Sequence, residues 1–92
     1  MNFKSEIEKW IDLCASVSDV SVADYNLGVL GSENDVTIEL DGKELLFTAK
    51  NYKSQIVCRV DKISDMVVDY DNGSFEIYMI NDISYWGLFR TK

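Results

Sequence analysis

Two dipeptides do most to limit what this chain can become. Asp41-Gly42 and Asn72-Gly73 each stand between runs in which apolar and polar residues alternate. Asp-Gly and Asn-Gly supply the positive φ of a two-residue hairpin turn whose twist matches that of the flanking strands. Alternation with a period of two places the apolar residues on one face of a sheet. Each turn also predicts a register, because a slip by one residue throws the apolar set onto the wrong face. With Asp41-Gly42 as turn residues, Leu40 faces Lys43, Ile38 faces Leu45 and Val36 faces Phe47; on the other face Glu39 meets Glu44 and Thr37 meets Leu46. With Asn72-Gly73, Asp71 faces Ser74, Tyr70 faces Phe75, Val68 faces Ile77 and Met66 faces Met79; on the other face Asp69 meets Glu76 and Val67 meets Tyr78. Both registers keep a continuous apolar face, and both set two acids side by side outside.

Ahead of the hairpins, Phe3, Ile7, Trp10, Ile11 and Cys14 fall on one face of a helix. Ser5 and Glu8 have capping-box spacing, and Lys4 and Glu8 have the spacing of an i,i+4 pair. The helix is predicted over about 5–16, ending in "SVSDVS". "VSVADYNLGVLG" reads as a strand with a bulge or bend. "QIVCRVDKI" reads as a strand with Ile56, Cys58 and Val60 inward and Val57 and Arg59 outward, and "SD" permits a turn before "MVVDY". In the tail, Asn81 or Asp82 suits the cap of a short helix, while Ile83, Tyr85, Gly87 and Phe89 alternate as a last strand with a glycine kink; the strand is the expectation. The expectation is an α+β fold: a single domain over 1–92, with one N-terminal helix packed on an antiparallel meander of about five or six strands over about 20–90. Cystatin-like and several small inhibitor folds are similar in this order of elements alone.

The chemistry that the chain lacks is informative. "DYDNGSFEIY" resembles the start of a calcium loop, but neither frame puts acids, glycine and glutamate at the required positions. There is no histidine to act as proton shuttle or as partner for Cys14 or Cys58. Both cysteines read as buried reduced thiols. Zinc spacing and glycine-rich phosphate motifs are missing as well. No enzyme activity, cofactor or metal is expected. The sixteen acids against nine bases give a net charge of −7, which repels phosphate backbones and anionic membranes and attracts basic proteins. The small basic cluster Lys50, Tyr52, Lys53, Arg59 and Lys62 reads as a solvated loop. With no signal-peptide core and no apolar run long enough to span a bilayer, the cytoplasm is the expected location.

What remains is the outer sheet face. Acids at Glu39, Glu44, Asp69 and Glu76 mix there with Leu46, Val67 and Tyr78. Acids alone could simply keep edge strands from aggregating, but apolar side chains among them are the composition of an interface. These seven residues are expected to engage a basic, nucleic-acid-handling protein and inhibit it by mimicking nucleic acid, as small toxin-immunity proteins and phage-encoded anti-CRISPR inhibitors do. Two alternatives stand beside this. One is a structural or assembly module, a homo-oligomer through an exposed strand or the aromatic tail Tyr85, Trp86, Leu88 and Phe89. The other is a small-molecule pocket between helix and sheet lined by Trp10 and Tyr70.

Overall fold

The computed structural model describes residues 3–23, 25–27, 36–49 and 54–92. Helix α1 (Lys4–Leu13) passes without a loop into β1 (Cys14–Val22). There follow β2 (Tyr25–Leu27), β3 (Val36–Asp41), β4 (Glu44–Ala49), β5 (Ser54–Arg59), one 3-10 turn (Val60–Lys62), β6 (Ile63–Asp69), β7 (Ser74–Met79) and β8 (Ser84–Thr91). The fold is α+β, one helix on an antiparallel sheet, but the sheet has eight strands rather than five or six. The glycines of "GVLGSEN" and the residues Lys50, Tyr52 and Lys53 lie outside the described residues. No helix among the described residues is long and apolar enough to cross a membrane.

The helix is shorter than its apolar stripe implies. Phe3, not Ser5, precedes its first turn, without a side-chain cap, and Ile7 donates its N–H to the Phe3 carbonyl at 3.0 Å. The backbone is already extended at Cys14. "SVSDVS" is the body of β1 rather than the end of the helix. In β1, Cys14, Val17 and Val20 are buried at a spacing of three. Register shifts between Cys14 and Ser16 and between Val17 and Asp19 cause that spacing. Each bulge adds a residue and resets the alternation, so a bulged strand imitates a helical stripe.

Both hairpins keep the predicted inward residues and change the pairs. The first turns on Gly42-Lys43, so Asp41 faces Glu44, Glu39 faces Leu46 and Ile38 faces Phe47. Only Gly42 of the two turn residues has a positive φ, at 60°, the pattern of a turn with glycine first. In the second hairpin residues 70–73 form a four-residue loop, so Asp69 faces Ser74, Val67 faces Glu76 and Asp65 faces Tyr78. Neither Glu39/Glu44 nor Asp69/Glu76 is a facing pair. The expected turn at "SD" is also displaced: Val60–Lys62 makes it, and Ser64 and Asp65 belong to β6.

The strand order is β5-β4-β3-β1-β8-β7-β6, with β2 added to β1. Every neighbouring pair is antiparallel, so the two edges, β5 and β6, run the same way. In a flat sheet they would lie about 29 Å apart, whereas the link from Arg59 to Ile63 reaches about 14 Å at full stretch. The sheet must therefore fold over, and the chain turns a corner from one half into the other. Val60 N–H bonds the Lys43 carbonyl at 2.8 Å and Ile80 N–H the Lys62 carbonyl at 2.9 Å, tying this corner to the β3–β4 turn and the β7–β8 loop. The halves β3–β5 and β6–β8 close on the inner face of α1. Trp10, fully buried, touches the rings of Phe47, Phe75 and Phe89 at centroid distances of 6.1, 4.7 and 5.6 Å.

Candidate functional site

Because the sheet folds over, it has two outer faces that point away from each other. The seven residues singled out in the sequence divide between them. Glu39, Glu44 and Leu46 lie outside β3–β4, where Glu39 faces Leu46 and Leu46 faces Val57 of β5. Val67, Glu76 and Tyr78 lie outside β6–β7, with Asp69 at the end of the same hairpin. No flat partner surface covers both groups.

Asp69 has a local task. Its carboxylate accepts the backbone N–H of Asp71 at 3.0 Å and of Asn72 at 3.1 Å, and the Asn72 side-chain amide at 2.8 Å. Those bonds, led by the Asn72 side chain, hold its pKa below the ordinary value. This is a side chain closing its own turn, the reason aspartate suits such loops. Gly73 completes it at φ +67°, its carbonyl taking the Phe89 N–H at 2.8 Å.

The outer face of β6, β7, β8 and β1 is built from rows of directly opposed residues. Val67, Glu76, Trp86 and Ser21 form one row; Asp65, Tyr78 and Ser84 the next; Asp69, Ser74, Leu88 and Asp19 the third. Large apolar side chains are open to solvent here: Val67 at 52%, Tyr78 at 38%, Trp86 at 43% and Leu88 at 52%. The other outer face offers Val57 alone among exposed large hydrophobics of the described residues. That difference makes β6–β8 the candidate site. A groove of about 430 Å³ crosses it, with Trp86, Leu88, Glu76 and Asp19 in its lining.

Two carboxylates of this groove are held in place. Glu76 accepts the hydroxyl of Tyr78, two residues along the same strand face. Asp19 accepts the Leu88 backbone N–H at 3.0 Å, next to the β1 bulge. Gly87 makes the bulge possible: a Cβ there would sit 2.0 Å from the Asp19 carbonyl oxygen and 3.0 Å from the Phe75 ring. The predicted last strand forms over Ser84–Thr91, with Tyr85, Gly87 and Phe89 inward and Trp86 and Leu88 outside, but Ile83 precedes it and is exposed.

The other sites weighed in the sequence take simpler forms. Trp10 is fully buried among three rings, and Tyr70 meets Phe89 edge to face at 5.9 Å. Cys58 is buried beside Met79, sulfur to sulfur 3.6 Å, and burial pushes its thiol up to about 12. Arg59 forms a two-bond pair with Asp61, at 3.2 and 3.0 Å. No protein-family profile, curated protein or solved structure matches the chain.

Proposed function

We propose that the protein is a non-enzymatic binding protein that engages a basic partner through the outer face of β6–β8. The observation that carries this is the contiguous field of Val67, Tyr78, Trp86 and Leu88, exposed across β6, β7 and β8 and interleaved with Asp19, Asp65 and Glu76. The fold has no need of large apolar groups there, while an interface uses them as anchors and uses surrounding charge to select and steer its partner. The net charge of −7 favours a basic partner over nucleic acid or anionic lipid. Nucleases and other nucleic-acid-handling proteins present such surfaces. Carboxylates seated in a phosphate-binding groove would inhibit them, as expected of immunity-type and anti-CRISPR-type inhibitors meeting their targets in the cytoplasm. That class rests on analogy of size and charge.

The test compares the two outer faces. Partners captured from the native host are examined singly for loss of nucleic-acid binding in the presence of the protein. Reversing Asp65 and Glu76 to lysine is expected to weaken binding by about tenfold or more, and reversing Glu39 and Glu44 to leave it nearly unchanged. Equal effects from the two faces, or a partner whose nucleic-acid binding is untouched, would sink the proposal. A second copy of the chain is the competing occupant, and its signature is a sedimenting dimer that Trp86→Glu dissociates.

A further inference from the structure

The groove on this face has a floor as well as a charge. Trp86 lies on β8, an inner strand of the sheet, with Glu76 directly opposite on β7 and Ser21 directly opposite on β1. It is 43% exposed and shares the groove lining with Leu88, Glu76 and Asp19. Both carboxylates are pre-oriented, Glu76 by the Tyr78 hydroxyl and Asp19 by the Leu88 N–H. A half-exposed indole beside an ordered carboxylate suits a particular kind of cation.

Building on the basic-partner reading, we infer that this groove is an arginine site, in which one guanidinium of the partner lies flat on Trp86 and directs its N–H groups to Glu76. Asp19 adds charge at the far side of β8, and Leu88 covers the methylene stem, as long cationic side chains bury their stems on apolar surface. The preference for arginine over lysine follows from shape and hydration. Guanidinium is planar, stacks on aromatic faces and is weakly hydrated. It also presents paired donors that match a carboxylate. An ammonium group meets the acids equally well but keeps its water and gains less from the indole.

The experiment uses two synthetic peptides of equal length and charge, one with every cation arginine and the other with every cation lysine. Each is titrated into the 92-residue chain while the indole N–H and backbone amide signals are followed by NMR. Trp10 is fully buried and serves as the internal reference. The arginine peptide is expected to move the Trp86 signal, leave Trp10 in place, and bind about fivefold or more tightly than the lysine peptide. Trp86→Leu keeps an apolar cover without a π face, so it should erase the preference and leave weak, salt-sensitive binding of both peptides. Glu76→Gln should lower the affinity for arginine more than for lysine. If both peptides bind equally and shift Tyr78 and Val67, the arginine assignment falls and the basic-partner reading survives. If neither peptide moves Trp86, Tyr78 or Val67, both fall.

Discussion

The ring of Phe47 on β4 stacks on the ring of Phe75 on β7, with centroids 5.7 Å apart and planes 9° from parallel, although three strands lie between β4 and β7 along the hydrogen-bonded path. The contact exists because the sheet folds over. A double-mutant cycle of Phe47→Leu and Phe75→Leu, read by denaturant unfolding, should return a coupling of about 0.5–1.5 kcal/mol. In a flat sheet the two rings would be uncoupled. Trp10→Ala, which removes the indole that touches both rings, should cost about 3–5 kcal/mol, enough to leave so small a domain largely unfolded.

Gly42 and Gly87 are required for different reasons. Gly42 needs its positive φ but has nothing within 4 Å of an added Cβ, so Gly42→Ala should cost about 1–2 kcal/mol. At Gly87 the obstacle is backbone, the Asp19 carbonyl at 2.0 Å, which cannot rotate away. Gly87→Ala should cost about 3 kcal/mol or more and disturb the outer groove. Thermal melts of the two variants, with the Trp86 NMR signal as the local readout, check both parts.

The carboxyl of Asp69 ionises below its ordinary value because the Asn72 side chain, then the backbone N–H groups of the loop, bond the charged form. Its contribution to stability is therefore present above the unfolded pKa, near 3.8, and is lost as pH falls below it. Asp69→Ala should be less stable than the parent at neutral pH, with the gap narrowing as the solution is acidified through about pH 4. Melting temperature against pH for the two proteins reads this directly.

Cys58 responds in the opposite direction. Burial favours the neutral thiol and pushes its pKa up to about 12, against 9.0 for an ordinary thiol. Stability linked to Cys58 is complete below about pH 9 and is lost as pH rises toward the folded value. Cys58→Val, which fills similar space without a titrating group, should soften the alkaline fall in stability. In the native protein at pH 8, both Cys14 and Cys58 should react slowly with thiol reagents, and quickly only once the chain is unfolded.

Inward and outward positions were legible from alternation, and they survived a change of register because both hairpins shifted the facing partner by two, which preserves the face. Facing pairs were not legible. Whether Asp41-Gly42 or Gly42-Lys43 forms the turn depends on φ at a single residue, and the Asp69 carboxylate enlarges the second loop through bonds that no alternation reveals. The sequence carries the helix on to about residue 16 because Cys14 continues the stripe of Phe3, Ile7, Trp10 and Ile11, and the bulges of β1 hide the alternation that would mark Cys14–Val22 as strand. The folding-over was implicit in the short "VDK" link, but only once strand order was known. Of the candidate site, Val67, Glu76 and Tyr78 came from hairpin patterning. In sequence Trp86 and Leu88 belong to a tail that suits self-association, and Asp19 carries no signal, since a bulge places it.

The pairing of β1 with β8 has a consequence during synthesis. Leu88 bonds to Asp19 across 69 positions of sequence, and Arg90 to Ser16 across 74. The hairpins β3–β4 and β6–β7 can form as they emerge from the ribosome, but β1 cannot acquire its β8 neighbour until Ser84–Thr91 have been made. Such long-range pairing is slow and leaves strand edges open to the wrong partners. A nascent chain stalled before β8 would expose the β1 edge, and with it the aromatic cluster around Trp10, to any chaperone or protease within reach.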